Sequence, residues 1–447
     1  MLRDHPLRVE LCNELHARPF TQLSGPETIT HIGIVTGEGK AEEERRHVGQ
    51  LCGRYNVAPP LPGTKHFMAD FGRFFLVWER HTEFSTYTFF RNRRDPERKL
   101  SDIDPAHIDQ AGDQPYMPFS RTAIALVPGD WLEGLSGDRL VGVHLELEGP
   151  DALERTMQEQ VAFFPTGNLA ASTLRAGLAA VWMDFSINED GYGRILLKDY
   201  GLKPRQIGRA VQRLLEIETY RMMALLSLPL AQSYGARLAK AGKKLTDITS
   251  RMTGARAVTS EKVLLRELTE LSAEIEQAAA ETNYRFSASK AYHELVKQRT
   301  RKLREGNMDG FQRIESFLDR RLTPAMRTCE ATALRLDTLS KRVARAGQLL
   351  RTRVDIQLEE QNSALLKSMD RRASLQLRLQ ETVEGLSVAA ISYYVVSLIY
   401  YLAKGANDFG FDIKASLVAA LSIPLVVIGL WLGVRRVRRI VTRDEGE

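Results

Sequence analysis

The sequence predicts an α+β cytoplasmic domain, then a long helical or coiled-coil stalk, then a C-terminal two-helix transmembrane hairpin. Three observations predict it. Short aromatic and β-branched runs are confined to the chain before Lys203-Pro204. Helical periodicity follows without a strand signal. Two uncharged apolar spans lie near the C-terminus.

With 447 residues the chain exceeds one hydrophobic core, so roughly two or three units are expected. The expected divisions are an α/β domain over 1–202, a helical bundle or coiled-coil stalk over 203–385, a hairpin over 386–434 with spans 386–403 and 415–434, and a basic cytoplasmic tail over 435–447.

In the first division, Thr28 to Val35 reads as a strand and Ala41 to Tyr55 as a helix. Pro59, Pro60 and Pro62 then mark a loop. Phe67 to Phe71, Phe74 to Glu79 and Phe84 to Phe90 are strands broken at Gly72 and around Thr82. Arg93 to Gln114, rich in Asp, Pro and Arg, is an exposed loop. Ala123 to Val127 and Leu140 to Leu147 are further strands. Leu178 to Ile187 and Arg194 to Lys198 flank Asp190-Gly191, a hairpin turn signal.

In the second division, Gln206 to Leu228 carries Ile207, Val211, Leu214, Leu215 and Ile217 near helical period and stops at Pro229. Thr259 and Ser260 cap a helix running to about Arg304. Gly306 to Gly310 breaks it, and Thr323-Pro324 opens the next, with Pro324 in its first turn. Val354, Leu358, Leu365, Leu379 and Leu386 fit a three-four spacing that Gln361 and Arg372 interrupt. Ala325 to Ala403 is either one helix, roughly 120 Å long at ~1.5 Å per residue, or a bundle folded back on itself.

The two spans hold no charge between Leu386 and Ala403 or between Ala415 and Val434. Each is long enough for a hydrocarbon core of ~30 Å. Arg371, Arg372 and Arg378 precede the first, and Arg435, Arg436, Arg438, Arg439 and Arg443 follow the second. The connecting loop balances Lys404 and Lys414 against Asp408 and Asp412. Positive charge stays inside, so both termini are expected in the cytoplasm of an inner membrane. The charge-interrupted N-terminus lacks a signal-peptide core, in agreement.

Gly429 and Gly433 form a small-residue helix-packing face, and Pro424 bends the same helix. Tyr393, Ser397 and Tyr400 share one face of the first span. They are read as interhelical hydrogen bonds and an interfacial tyrosine belt, or as a polar pore face in an oligomer.

Chemistry is sparse. Glu14, His16 and Arg18 are the candidate catalytic group, a general base beside an anion-binding arginine. The competing reading is a helix end stopped by Pro19. Cys12 and His16 stand one helical turn apart, but two ligands are too few for zinc. Walker, GxGxxG, GxSxG and HExxH motifs are absent, and no metal site or cofactor is identified. Cys12, Cys52 and Cys329 have no CxxC spacing, which fits free thiols in a reducing cytoplasm. A net charge of +6 with interleaved signs gives no reason to expect nucleic acid as a partner. The expected partners are the lipid bilayer and further copies of the chain; the protein partner is unknown.

The opening HPLRVELCNELHARPF, the strands of RFFLVWERHTEFSTYTFF, the ETYRMMALLSLPLAQ helix and the paired spans together resemble the domain of unknown function 3422 family, bacterial predicted membrane-anchored proteins. The resemblance covers nearly the whole chain. It implies a cytoplasmic-membrane location and transfers no catalytic residues. The layout is also similar to CorA-type magnesium channels and to the YagE-type membrane-anchored family. CorA-type channels carry Gly-Met-Asn where the first span exits; this chain has Gly405-Ala406-Asn407, so Gly405 and Asn407 become ion-path candidates. The expected function is an oligomeric, non-enzymatic scaffold or regulatory module tethered to the inner membrane. The alternatives are a CorA-like divalent cation transporter and an enzyme using the N-terminal Glu/His/Arg group.

Overall fold

The computed structural model describes residues 4–8, 12, 21–92, 117–165, 169–254, 258–408 and 414–444. The chain divides into two compact units. The first comprises Met1–Thr253 with Arg266–Ala346, and the second Gly254–Leu265 with Gly347–Glu447.

Among the described residues of the first unit, nine strands form one sheet. In chain order they are β1 (Glu27–Val35), β2 (His66–Asp70), β3 (Phe75–Arg80), β4 (Phe84–Asn92), β5 (Asp138–Glu148), β6 (Ala170–Leu174), β7 (Ala179–Met183), β8 (Gly193–Asp199) and β9 (Glu305–Gly306). The spatial order is β2-β3-β4-β1-β5-β8-β7-β6-β9. β5 and β8 pair in parallel and the other neighbours antiparallel. Helix α1 (Ala41–Arg54) follows β1, and short helices α2 (Gly129–Glu133) and α3 (Met157–Val161) flank β5. Four long helices complete the chain: α4 (Pro204–Leu225), α5 (Ser227–Gly254), α6 (Val258–Leu303) and α7 (Ile314–Asp408), before α8 (Ala415–Asp444).

Both faces of the sheet are covered, so the inner strands read as continuous apolar runs while β3 alternates. On one face, Ile29, Val143, Leu145 and Leu197 pack against Val211, Leu214 and Ile217 of α4 and against Phe317 and Leu318 of α7. On the other, α1 and Trp131 cover Trp78, Tyr87 and Phe89. Further along that face, Phe119 and Phe164 cover Trp182 and Leu196.

Buried residues recur at three-four spacing in α5: Ala231, Tyr234, Leu238, Ala241, Leu245, Ile248 and Met252. The same spacing runs through Leu268, Leu271, Ile275 and Ala278 of α6 and Leu336, Leu339, Val343 and Ala346 of α7. Tyr234 bonds Glu281, and Ser340 Oγ donates to Glu276 at 3.0 Å, so the three helices pack on one another. These positions act as the knobs of a helix bundle.

Four local expectations are corrected. Ala123–Leu126 is a one-turn 3-10 helix, not a strand. A short apolar run can bury itself either way. Here the Ile124 N–H is taken by Thr30 Oγ1 at 3.2 Å, and Pro128, next after Val127, has no donor for a ladder. Pro229 does not end a helix; α4 stops at Leu225 and Pro229 sits in the first turn of α5, where its missing N–H costs nothing. Pro324 lies inside α7, which begins at Ile314, because Ile314, Leu318 and Leu322 bury a full apolar stripe before the proline. The strand expected to reach Ile187 ends at Met183, since Phe185 takes φ +52°. The expected loop over Arg93 to Gln114 lies outside the described residues.

The approach to β1 passes close under α4. A Cβ on Gly208 would lie 1.8 Å from the Thr21 carbonyl oxygen. Gly208→Ala is therefore expected to destabilise the protein by about 1–3 kcal/mol, the usual cost of overpacking. Thermal unfolding of the full chain in mild detergent checks this, and an unchanged midpoint would mean the backbone there yields freely.

Candidate functional site

The residues that line a cleft between the sheet and α4 come from period and pleat. In β3 and the residue after it, alternate positions point Val77, Glu79 and His81 to the α4 side. In β4 the same alternation presents Thr86, Thr88 and Phe90. α4 answers with Val211, Gln212, Leu215, Glu216, Thr219 and Tyr220, one helical face. β1 contributes His31, and the incoming chain Thr21 and Leu23. The space is about 620 Å³, counting its open mouth.

His31 stands at the base. Its Nδ1 is 2.8 Å from Thr88 Oγ1 and its Nε2 2.9 Å from Thr219 Oγ1. The Thr219 hydroxyl donates to the Leu215 carbonyl at 2.9 Å. Its one proton is thus spent, so it accepts from His31 Nε2–H, and Nδ1 accepts from Thr88. Burial lowers the imidazole pKa to about 4. At neutral pH His31 is an uncharged bridge between sheet and helix, not a proton carrier.

The Glu79 carboxylate lies 3.7 Å from His66 Nε2 and 4.0 Å from His81 Nε2. His81 stacks on Phe84 with centroids 4.3 Å apart. On the helix side, burial pushes the Glu216 carboxyl up against the pull of its partner Arg299; Gln212 also donates to it at 3.2 Å. Nearby Arg213 is pushed down by burial and by the charges of Arg175, Arg209 and Arg299. It caps the end of α6 by donating to the Lys302 carbonyl at 2.9 Å. The cleft thus combines an apolar body with carboxylates at its rim. It suits a small molecule that presents donors. Among the described residues no three His, Cys, Asp or Glu side chains are arranged to hold a metal ion.

Glu14, His16 and Arg18 lie outside the described residues; the described chain resumes at Thr21, on the cleft wall. His31, Glu79, His81 and Glu216 were not singled out from the sequence. Their signal was present as polar interruptions: a histidine within the apolar ETITHIGIV, and Glu216 and Glu218 beside the apolar stripe of α4. Gly405 lies within α7, which outruns the expected span end at Ala403 and continues to Asp408. No atom approaches within 4 Å of a Cβ built on Gly405, Gly429 or Gly433. A Cβ at either glycine of the expected packing face would meet open space among the described residues, and the side chain of Asn407 lies outside them.

Among the described residues, two helices are long and apolar enough to cross a membrane. An eighteen-residue window within Ile314–Ala406 has mean hydropathy 1.7 and is 11% buried; one within Ala415–Arg436 has mean hydropathy 2.5 and is 0% buried.

A family model described as "Protein of unknown function (DUF3422)" matches residues 3–441, and the chain belongs to that family. No curated protein and no solved structure matches the chain, so the likeness to CorA-type channels gains no support.

His31 gives the cleft a pH signature. Its folded pKa lies below the unfolded value, so between about pH 4 and 6.5 the unfolded chain binds more protons and stability rises with pH. From pH 7 to 4.5 the protein should lose about 2 kcal/mol through His31. His144, also lowered to about 4 by burial, adds a loss of the same sign. The raised Glu216 acts in the opposite direction. Chemical denaturation at both pH values should show a smaller acid loss for His31→Asn than for wild type. Equal losses would show that His31 does not titrate with unfolding.

Proposed function

We propose that this member of the DUF3422 family is an inner-membrane-tethered scaffold or regulatory module. Its α+β unit stays in the cytoplasm, and its two C-terminal helices span the bilayer as a hairpin. The observation that carries this reading is apolar surface without protein cover. Leu398, Leu421 and Leu425 are 64%, 67% and 72% exposed, and only 11% of the first window and none of the second is buried. Each such side chain left in water forgoes ~1.5–3 kcal/mol, a loss that lipid removes. Tyr400 and Trp431, near the span ends, suit the interfaces. The Arg435 guanidinium lies 4.9 Å over the Trp431 ring, as expected for a snorkelling anchor at the cytoplasmic edge.

Self-association supports the scaffold role. Every residue from Leu358 to Val383 of α7 is exposed. Leu365 and Leu379 are 62% and 71% exposed, and with Leu358 and Leu386 they fall on one seam at multiples of seven. A second copy of the same helix covers such a seam, and Gly429 and Gly433 offer a close-approach face beside it.

Two outcomes are expected. First, the full chain should resist extraction from membranes by carbonate. A chain ending at Gln380 should be released, and reporters at residue 1, in the Asn407–Phe411 loop and at Glu447 should read inside, outside, inside. Carbonate release of the full chain, or an external N-terminus, would refute the tether. Second, light scattering in mild detergent should give an oligomer that Leu365→Lys/Leu379→Lys reduces to a monomer and Ser363→Lys/Gln376→Lys leaves intact. Gly429→Leu/Gly433→Leu should weaken cross-linking in membranes. A monomeric wild type would remove the self-association.

A further inference from the structure

The cleft between the sheet and α4 has a charge layout that selects among ligands. Glu79 and Glu216 line it, and among the described residues that line it there is no arginine or lysine. An anion in the cleft therefore meets carboxyl oxygens and no cationic partner. A cation fares no better. Glu216 is already bonded to Arg299, and nearby Arg213 feels the added positive charges of Arg175 and Arg209. Glu79 already stands beside the imidazoles of His66 and His81. Taking an ion out of water without a dedicated partner costs far more than burying a neutral polar group. The layout thus disfavours both signs of charge and admits a neutral molecule.

The hydrogen-bond inventory says which neutral molecule. Both ring nitrogens of His31 are engaged, by Thr88 and by Thr219, and the Thr219 proton goes to the Leu215 carbonyl. The floor is therefore saturated. Glu216 is not. Gln212 donates to its Oε1 at 3.2 Å and Arg299 to its Oε2, whereas a carboxylate has about four lone-pair sites. The capacity left there is for accepting, so the ligand has to bring the donor. Leu23, Val77, Phe90, Val211 and Leu215 form the apolar walls, and they match an apolar body. The space of about 620 Å³, counting the open mouth, falls within the ~300–1,000 Å³ usual for small-molecule sites.

We propose that this cleft binds a small neutral molecule with an apolar body and a hydroxyl or amide donor that bonds to Glu216. The site does not depend on the membrane tether. The test uses the full chain in mild detergent, titrated by calorimetry with adamantanol, adamantylammonium and adamantane carboxylate, the same titrations into protein-free micelles being subtracted. These probes share one apolar cage and differ in charge. Adamantanol should bind saturably, roughly tenfold or more tightly than either ion. Val77 is half-buried and faces the cleft. Val77→Phe should fill the space and abolish saturable binding without lowering the melting temperature. Val77→Leu, one methylene larger than wild type, should weaken binding less and keeps the test intact if the phenylalanine variant does not fold. Absence of saturable adamantanol binding, or affinity that neither substitution changes, would overturn the site. Tighter binding of adamantylammonium would assign the cleft to an organic cation, and tighter binding of the carboxylate to an anion; either would overturn the neutral-ligand reading.

Discussion

Apolar surface on both faces of one nine-stranded sheet has to be covered, and the order of the first unit follows from that constraint. β1 sits between β4 and β5 and is buried along eight of its nine positions. It has to receive cover from both sides. α1 and the segment ending in α2 supply one side. α4, reached only after β8 completes the parallel pair with β5, supplies the other. Helices α5 to α7 then cover one another, and the three-four spacing of their buried positions is the sequence record of that mutual cover.

Several polar groups drawn into these layers are paired, and those pairs couple the layers. Arg80 and Glu44 form a buried pair at 3.1 Å, and Arg80 also donates to Thr36 Oγ1 at 2.6 Å. Glu83, at the β3–β4 turn, accepts from Arg285 Nη1 at 3.0 Å and from the Tyr292 hydroxyl at 2.9 Å, tying the hairpin to α6. His31 does the same between sheet and α4. Breaking one partner of such a buried pair leaves an uncompensated charge and costs on the order of 3–5 kcal/mol. The cleft therefore has a hydrogen-bonded floor at His31 and carboxyl groups at its rim.

Much of this was legible in the sequence. β1 to β5, β8, α1 and the long helices stand close to where alternation and helical period put them, because those signals extend over many residues. The misses are local. AIALV and the short β6, AASTL, are too brief for periodicity to separate strand from turn. Pro229 and Pro324 read as boundaries because proline marks helix starts, but tertiary burial of Leu318 and Leu322 carried α7 through the second. The three-four spacing of Ala231, Tyr234, Leu238, Ala241 and Leu245 is legible in the sequence of α5 and is more regular than the stripe after Val354. The candidate cleft was illegible for another reason. Its residues come from β1, β3, β4 and α4, and no local pattern marks their convergence. The stack of Phe185 on Phe317 joins residues 132 positions apart, so only the packing of α7 reveals it.

The same constraint is left open in the second unit, where α8 and the last part of α7 carry apolar side chains that are mostly exposed. If a bilayer supplies the cover, Trp431 is its natural reporter. Trp78, Trp131 and Trp182 are 0%, 1% and 2% exposed, whereas Trp431 is 51% exposed. The most direct measurement is tryptophan fluorescence of the full chain reconstituted in vesicles containing brominated lipids. Quenching that disappears in Trp431→Phe is the predicted result. Emission from Trp431 that brominated lipid leaves unchanged would contradict the tether.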